Sequence, residues 1–159
     1  LICKNAKFLA LNAQVNAANV GYHSMLKYQQ VDCVIINVTE LRHELRDKKS
    51  EVESLMKKLA NGRKINNLIV TKGKLGSIIY NRTSKKFSYC DGYAHKVVDK
   101  IGAGDAMLSM VSLCLKLNFD KKLALLIGSL AAAHSVETIG NKESVNKINL
   151  LKSLDHLLK

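Results

Sequence analysis

Residues Asp99–Met107 read DKIGAGDAM and open a long apolar run. Two glycines and an alanine lead directly into Asp105. Glycine tolerates the tight backbone path needed to bring N–H groups close to an anion. A helix that starts there adds unpaired donors and the positive end of its dipole. A carboxylate at that place is either a helix cap or a catalytic base, and the flanking sequence has to decide between the two.

Downstream of the motif the pattern is helical. A helix to about Leu117 carries Met107, Met110, Val111, Cys114 and Leu115 on one stripe, with Leu108 and Leu113 elsewhere, the pattern of a helix buried all round. Lys121–Val136 repeats the period, with Leu123, Leu126, Ile127, Leu130 and Ala131 at helical spacing. Ser144–Leu158 closes the chain after the break at Gly140. Upstream, strands alternate with helices. Lys7–Asn12 reads as a short buried strand, and Asn16 can cap a helix over Ala17–Tyr28. Val31–Ile36 is a β-branched apolar strand of the kind covered on both faces. Helices are expected over Leu41–Lys48 and Glu51–Leu59, the second stopped by Asn61-Gly62. Asn67–Thr71, Ser77–Tyr80 and Lys86–Cys90 are further strands, the first two joined as a hairpin by KGKLG, and Val97-Val98 is extended. The alternation predicts an α/β sandwich with a largely parallel sheet. Polar clusters at Asn12–Asn16, Asn37–Glu40 and Thr71–Gly76 each follow a strand, where open α/β sheets bind ligands.

The 159 residues supply one domain's worth of chain, 47% hydrophobic and 24% charged, which excludes large-scale disorder. No apolar run reaches the length of a membrane helix, and the first residues lack the order of a secretory signal. Cys3, Cys33, Cys90 and Cys114 have no metal-ligand spacing and read as reduced thiols of a cytoplasmic protein. The net charge of +12 invites a nucleic-acid reading, but the lysines are spread out and no aromatic residues interleave with them. A basic surface favouring anionic small ligands is the more economical account. A dinucleotide-binding unit is disfavoured, because the motif is GxGD and no GxGxxG follows the first strand.

With these residues in view, the chain resembles the ribokinase-like (PfkB) family of carbohydrate kinases, in its C-terminal half. Asp99-Lys100-Ile101-Gly102-Ala103-Gly104-Asp105 is similar to the family signature. Asn37–Glu40 (NVTE) is similar to its Asn-x-x-Glu motif. Val70–Ile79 is similar to its nucleotide-contacting strand-turn-strand, and Ala131–Gly140 with Ser144 to the segment flanking its nucleotide and cation sites. The opening stretch LNAQVNAANVGYHSMLKY further resembles the heptose-kinase branch, often linked to nucleotidyltransferase domains. The resemblance implies a three-layer α/β/α ribokinase-like sandwich with a mostly parallel sheet, of which only the C-terminal, nucleotide-binding half is present as a single domain over 1–159.

The resemblance also implies an ATP-dependent phosphoryl transfer to a hydroxyl of a sugar or sugar phosphate. It makes Asp105 the general base and the N–H groups of Gly102, Ala103 and Gly104 the anion hole. Thr71, Lys72, Gly73 and Gly76 would contact the nucleotide, although Lys72 and Lys74 read equally as solvated turn lysines. Asn37 and Glu40 would hold Mg²⁺, largely through water; the bare pattern reads equally as a helix cap, with Thr39 as an alternative cap. Asp99, the Ile101 carbonyl, carbonyls near Val136–Gly140 and Ser144 would form a monovalent-cation site for K⁺. His134 reads as a core or pocket-lining side chain, and Lys100 stands where the family carries a small residue. The chain lacks an initiator Met and is about half a family member's length, so a fragment is expected, without sugar turnover by itself. Its expected partners are the missing N-terminal half or another domain, or a second copy in a homodimer. The alternative is a non-catalytic nucleotide-binding module that docks on a partner domain.

Overall fold

The computed structural model describes residues 5–12, 28, 30–94, 96–99, 101–137 and 144–157. The expected helix over Ala17–Tyr28, most of the opening stretch LNAQVNAANVGYHSMLKY, Lys100 and Gly140 lie outside the described residues. The elements run β1 (Ala10–Asn12), β2 (Cys33–Asn37), α1 (Val38–Leu45), α2 (Val52–Arg63) and β3 (Asn67–Thr71), then a 3-10 turn at Gly73–Leu75. They continue with β4 (Ser77–Asn81), β5 (Lys86–Cys90), α3 (Ala103–Lys116), α4 (Lys121–Val136) and α5 (Lys147–Leu157). The chain forms two compact units, residues 1–72 with 78–88 and residues 73–77 with 89–159.

The sheet order is β1-β2-β3-β4-β5. β1, β2 and β3 are parallel neighbours, with Asn12 opposite Ile35 and Asn37 opposite Thr71. The connections from β3 to β4 and from β4 to β5 are too short for a crossover, so those pairs are hairpins. In the first unit Val34, Ile36, Leu68, Val70, Ile78 and Tyr80 pack with Leu41, Leu55, Met56 and Leu59 of α1 and α2. Each such side chain contributes about 1.5–3 kcal/mol by burial. Strand residues of opposite parity, Cys33, Ile35, Ile69 and Ile79, are buried as well. β2 and β3 are therefore buried on both faces, as their unbroken apolar runs predict.

The expected strand at Lys7–Asn12 is shorter, Ala10–Asn12, and only half-buried; among the described residues β2 is its one neighbour in the sheet. α1 starts three residues before the expected Leu41, and its cap is Asn37 rather than Thr39. It ends at Leu45 because Arg46 takes the left-handed conformation, with φ 51°. The N–H groups of Arg46 and Asp47 then return to His43 and Arg42. Asn61-Gly62 does not stop α2; both sit in its last turn, and Lys64 (φ 54°) closes it instead. Neither end carries the glycine that would have marked it.

In the second unit α3 and α4 cross closely. A Cβ at Gly128 would overlap the Val111 side chain and lie 3.2 Å from Met107 Cγ. Ala124, Gly128 and Ala131 supply the small, buried residues at that crossing. α3 is not buried all round: Met107, Val111, Cys114 and Leu115 face inward, whereas Leu113 is 57% exposed. Leu123 of α4 is exposed too, and Val97 and Val98 are exposed and outside any strand. α5 begins at Lys147, three residues after the expected Ser144.

Candidate active site

In the first unit the carboxyl ends of β2 and β3 lie side by side, so Asn37 and Thr71 are register partners. Asn37 is extended (φ −91°, ψ 171°), and α1 starts directly after it. Its Oδ1 accepts the Glu40 N–H at 2.8 Å, while Glu40 Oε2 accepts the Asn37 N–H at 2.8 Å. This capping box satisfies two donors of the first turn. It also fixes an amide oxygen and a carboxylate on one side of a strand-to-helix junction. Carbonyl and carboxylate oxygens have more than one lone pair, so the donor chemistry fits water-mediated Mg²⁺. Lys72 follows Thr71 and is half-buried.

The second unit holds the glycine motif. Gly102 is the N-cap of α3 with φ 86° and ψ −14°, a conformation that favours glycine. Ala103, Gly104 and Asp105 are the first three helical residues, so their N–H groups and that of Gly102 have no acceptor within the helix. No side chain caps this end from Gly102. Asp105 is exposed at the third helical position, and its backbone carbonyl accepts the Ser109 hydroxyl at 2.8 Å.

The approach to the motif is held from two sides. Asp99 Oδ1 accepts the Ile101 N–H at 3.0 Å. The N–H groups of Val98 and Asp99 both donate to the carbonyl of Val136, at 2.7 and 3.1 Å, which fastens the loop to the end of α4. Asp99, Ile101 and Val136 thus come together. Ser144 is exposed and precedes α5, and Gly140 lies outside the described residues. His134 is neither buried core nor free: its Nε2 lies 3.0 Å from Ser153 Oγ of α5. Ser153 Oγ also lies 3.1 Å from the Asn149 carbonyl, one turn earlier in α5.

Gly73 and Gly76 have φ of 60° and 81°, and the Gly76 N–H closes the turn onto the Gly73 carbonyl at 3.1 Å. A Cβ at Gly76 would overlap the Cys90 carbonyl. Two features of this turn carried no signal in the sequence. Gly92 passes so close that a Cβ there would lie 2.7 Å from the Lys74 carbonyl oxygen. The buried hydroxyls of Ser77 and Ser129 lie 3.0 Å apart, tying the turn to α4. Among the described residues, no three His, Cys, Asp or Glu side chains form a group that could hold a metal by themselves.

No curated protein sequence matches the chain. Its fold is similar to that of part of ribokinase from Thermotoga maritima, at 20% identity and a TM-score of 0.79, covering 97% of this chain and 51% of that one. A nucleoside kinase from Methanocaldococcus jannaschii, an archaeal member of the ribokinase family, gives 20% and 0.70 over 96% of this chain and 49% of its own. Phosphofructokinase-2 from Escherichia coli, solved with potassium, gives 18% and 0.71 over 82% and 42%. The chain therefore spans about half the length of these enzymes or less. The sequence model for the pfkB family carbohydrate kinase matches residues 2–148, nearly the whole chain, and the chain belongs to that family.

Proposed function

We propose that this chain carries the phosphoryl-handling part of an ATP-dependent kinase acting on a hydroxyl of a sugar or sugar phosphate. The observation that carries the reading is the start of α3. A left-handed Gly102 delivers two small residues, Ala103 and Gly104, and then Asp105 at the N-terminus of a 14-residue helix. Phosphoryl transfer asks for positioning and charge stabilisation more than for covalent chemistry. The N–H groups of Gly102, Ala103 and Gly104 would receive the transferring phosphoryl group, and losing one such donor typically costs about 10²–10³ in rate. Asp105 would take the proton of the attacking hydroxyl, worth about 10²–10⁴.

Asn37 and Glu40 would hold Mg²⁺ through its waters, and the ion would neutralise phosphate charge. Thr71, Lys72, Gly73 and Gly76 would contact the nucleotide. Asp99 and the Ile101 carbonyl would line a K⁺ site, with Gly140 and Ser144 joining from the segment before α5; the Val136 carbonyl, which already accepts two N–H groups, holds the loop beside it. The free thiols of Cys33, Cys90 and Cys114 suit a reducing compartment, and we place the protein in the cytoplasm. The sugar-contacting residues are assigned to chain beyond these 159 residues, so this chain alone binds nucleotide but does not turn over sugar.

Nitrogen-15 spectra of the chain titrated with Mg·ATP and then Mg·ADP test the reading. The amides of Gly102–Asp105 should move more with ATP than with ADP, because the γ-phosphate is what they receive. Equal responses to the two, or none at 102–105, would overturn the anion hole. Turnover of any sugar by the isolated chain would overturn the division of labour.

A further inference from the structure

The far end of α1 carries a basic cavity that the kinase reading does not use. A cavity of about 530 Å³ is lined by Arg42, His43, Arg46, Asp47, Lys48 and Lys49. α1 begins at the carboxyl end of β2 and is eight residues long. Its C-terminus therefore lies about 12 Å along the helix from Asn37. This is a separate place in the same unit.

Four permanent cations and one carboxylate line it, and that carboxylate is already committed. Asp47 Oδ1 accepts the N–H groups of Lys49 and Ser50 at 3.0 Å each, and Oδ2 accepts the Ser50 hydroxyl at 2.7 Å. The Asp47 side chain thus builds the loop that presents Lys48 and Lys49. A helix C-terminus ordinarily repels anions. Here the carbonyls of Arg42 and His43 are covered by the N–H groups of Asp47 and Arg46, at 3.1 and 3.2 Å.

We propose that this cavity binds a small phosphate ester, of nucleotide or sugar-phosphate size, as a site distinct from the α3 N-terminus. Its volume lies within the range of small-ligand sites. Guanidinium forks match phosphate oxygens in pairs. The cations come from eight consecutive residues that line one cavity. No aromatic side chain lines it, so it lacks the stacking platforms with which proteins hold single-stranded nucleic acid.

The test uses the ¹⁵N-labelled chain with pyrophosphate as the probe, following the amides of Arg46, Lys49 and Ser50. Saturable shifts at these amides are expected, with the midpoint raised at least tenfold in Arg46→Gly. That variant removes one cation while giving the left-handed position a residue without the Cβ penalty, so loss of binding does not stem from misfolding. An unchanged midpoint in Arg46→Gly, absence of saturable shifts, or shifts confined to residues 101–105 would overturn the proposal. A ten-nucleotide oligomer that moves the same amides at lower phosphate concentration would overturn it too, in favour of a nucleic acid.

Discussion

Glu40 and Asn37 hold each other at the head of α1, each accepting the other's backbone N–H at 2.8 Å. The pair therefore has a structural role, and the metal role proposed for it has to be separable. Glu40→Gln separates them, because glutamine keeps a side-chain acceptor for the box and removes the charge that attracts Mg²⁺. We predict a change in stability of only a few tenths of a kcal/mol and a loss of about tenfold or more in Mg²⁺-dependent nucleotide affinity. Asn37→Ala should cost about 1 kcal/mol through the lost cap. Calorimetric titration and thermal melts check both; a Glu40→Gln chain with wild-type Mg²⁺ dependence would remove Glu40 from the metal site.

The turn at Gly76 is predicted to tolerate no side chain. Its φ of 81° penalises any L-residue, and an added Cβ meets the Cys90 carbonyl, which is backbone and cannot rotate away. Gly76→Ala should cost about 2–4 kcal/mol. Gly73→Ala, with φ 60° but open space around it, should cost about 1–2 kcal/mol. Urea unfolding measures the difference; equal costs at the two positions would contradict the overlap.

Much of this was legible in the sequence, and the limits have physical causes. β3, β5 and α4 begin and end where their periodicity and punctuation place them. The ends of α1 and α2 were not legible, since Arg46 and Lys64 take left-handed conformations that usually announce themselves as glycine. The exposure of Leu113 and Leu123 escaped prediction because periodicity does not say how wide a buried stripe is. Within the candidate site, the glycine turn at Gly102 follows from residue types alone, whereas the helix start at Asn37 was open between Asn37 and Thr39 as its cap. The clamp of Val98 and Asp99 on the Val136 carbonyl joins residues nearly 40 positions apart through main-chain atoms, and no residue type encodes it.

The thiols predict a pH and labelling pattern. Burial, with a lesser push from the Asp32 charge, raises the Cys33 thiol from 9.0 to about 12. Its folded value lies above its unfolded value, so the stability it contributes is complete below about pH 9 and is lost as pH rises toward 12. Maleimide at pH 8 should therefore modify the half-exposed Cys90 in the folded chain and reach Cys33 only on unfolding. Rapid labelling of Cys33 without unfolding would contradict its burial in β2.

On the acid side the sign reverses. Backbone and hydroxyl donors of Ser50, then Lys49, hold Asp47 down at about 2. The N–H groups of Leu123 and Lys122 likewise lower Asp120, the cap of α4. Both carboxylates stabilise the fold above their unfolded value of 3.8, and that contribution fades as pH falls below it, for Asp47 toward about 2. Asp120→Ala should cost about 1 kcal/mol at pH 7 and flatten the acid limb of the stability curve. An unchanged acid limb would show that the cap is not formed in solution.

The central claim is that Asp105 is the base of a phosphoryl transfer, and Asp105→Asn in the complete kinase tests it most directly. The rate of γ-phosphate transfer to the accepted sugar is measured alongside the melting temperature. The account predicts a loss of at least about 10² in kcat with the melting temperature nearly unchanged, because Asp105 is exposed and asparagine keeps its shape and a side-chain acceptor. A variant that keeps a sizeable fraction of the wild-type rate, or that loses activity only because it unfolds, would contradict it.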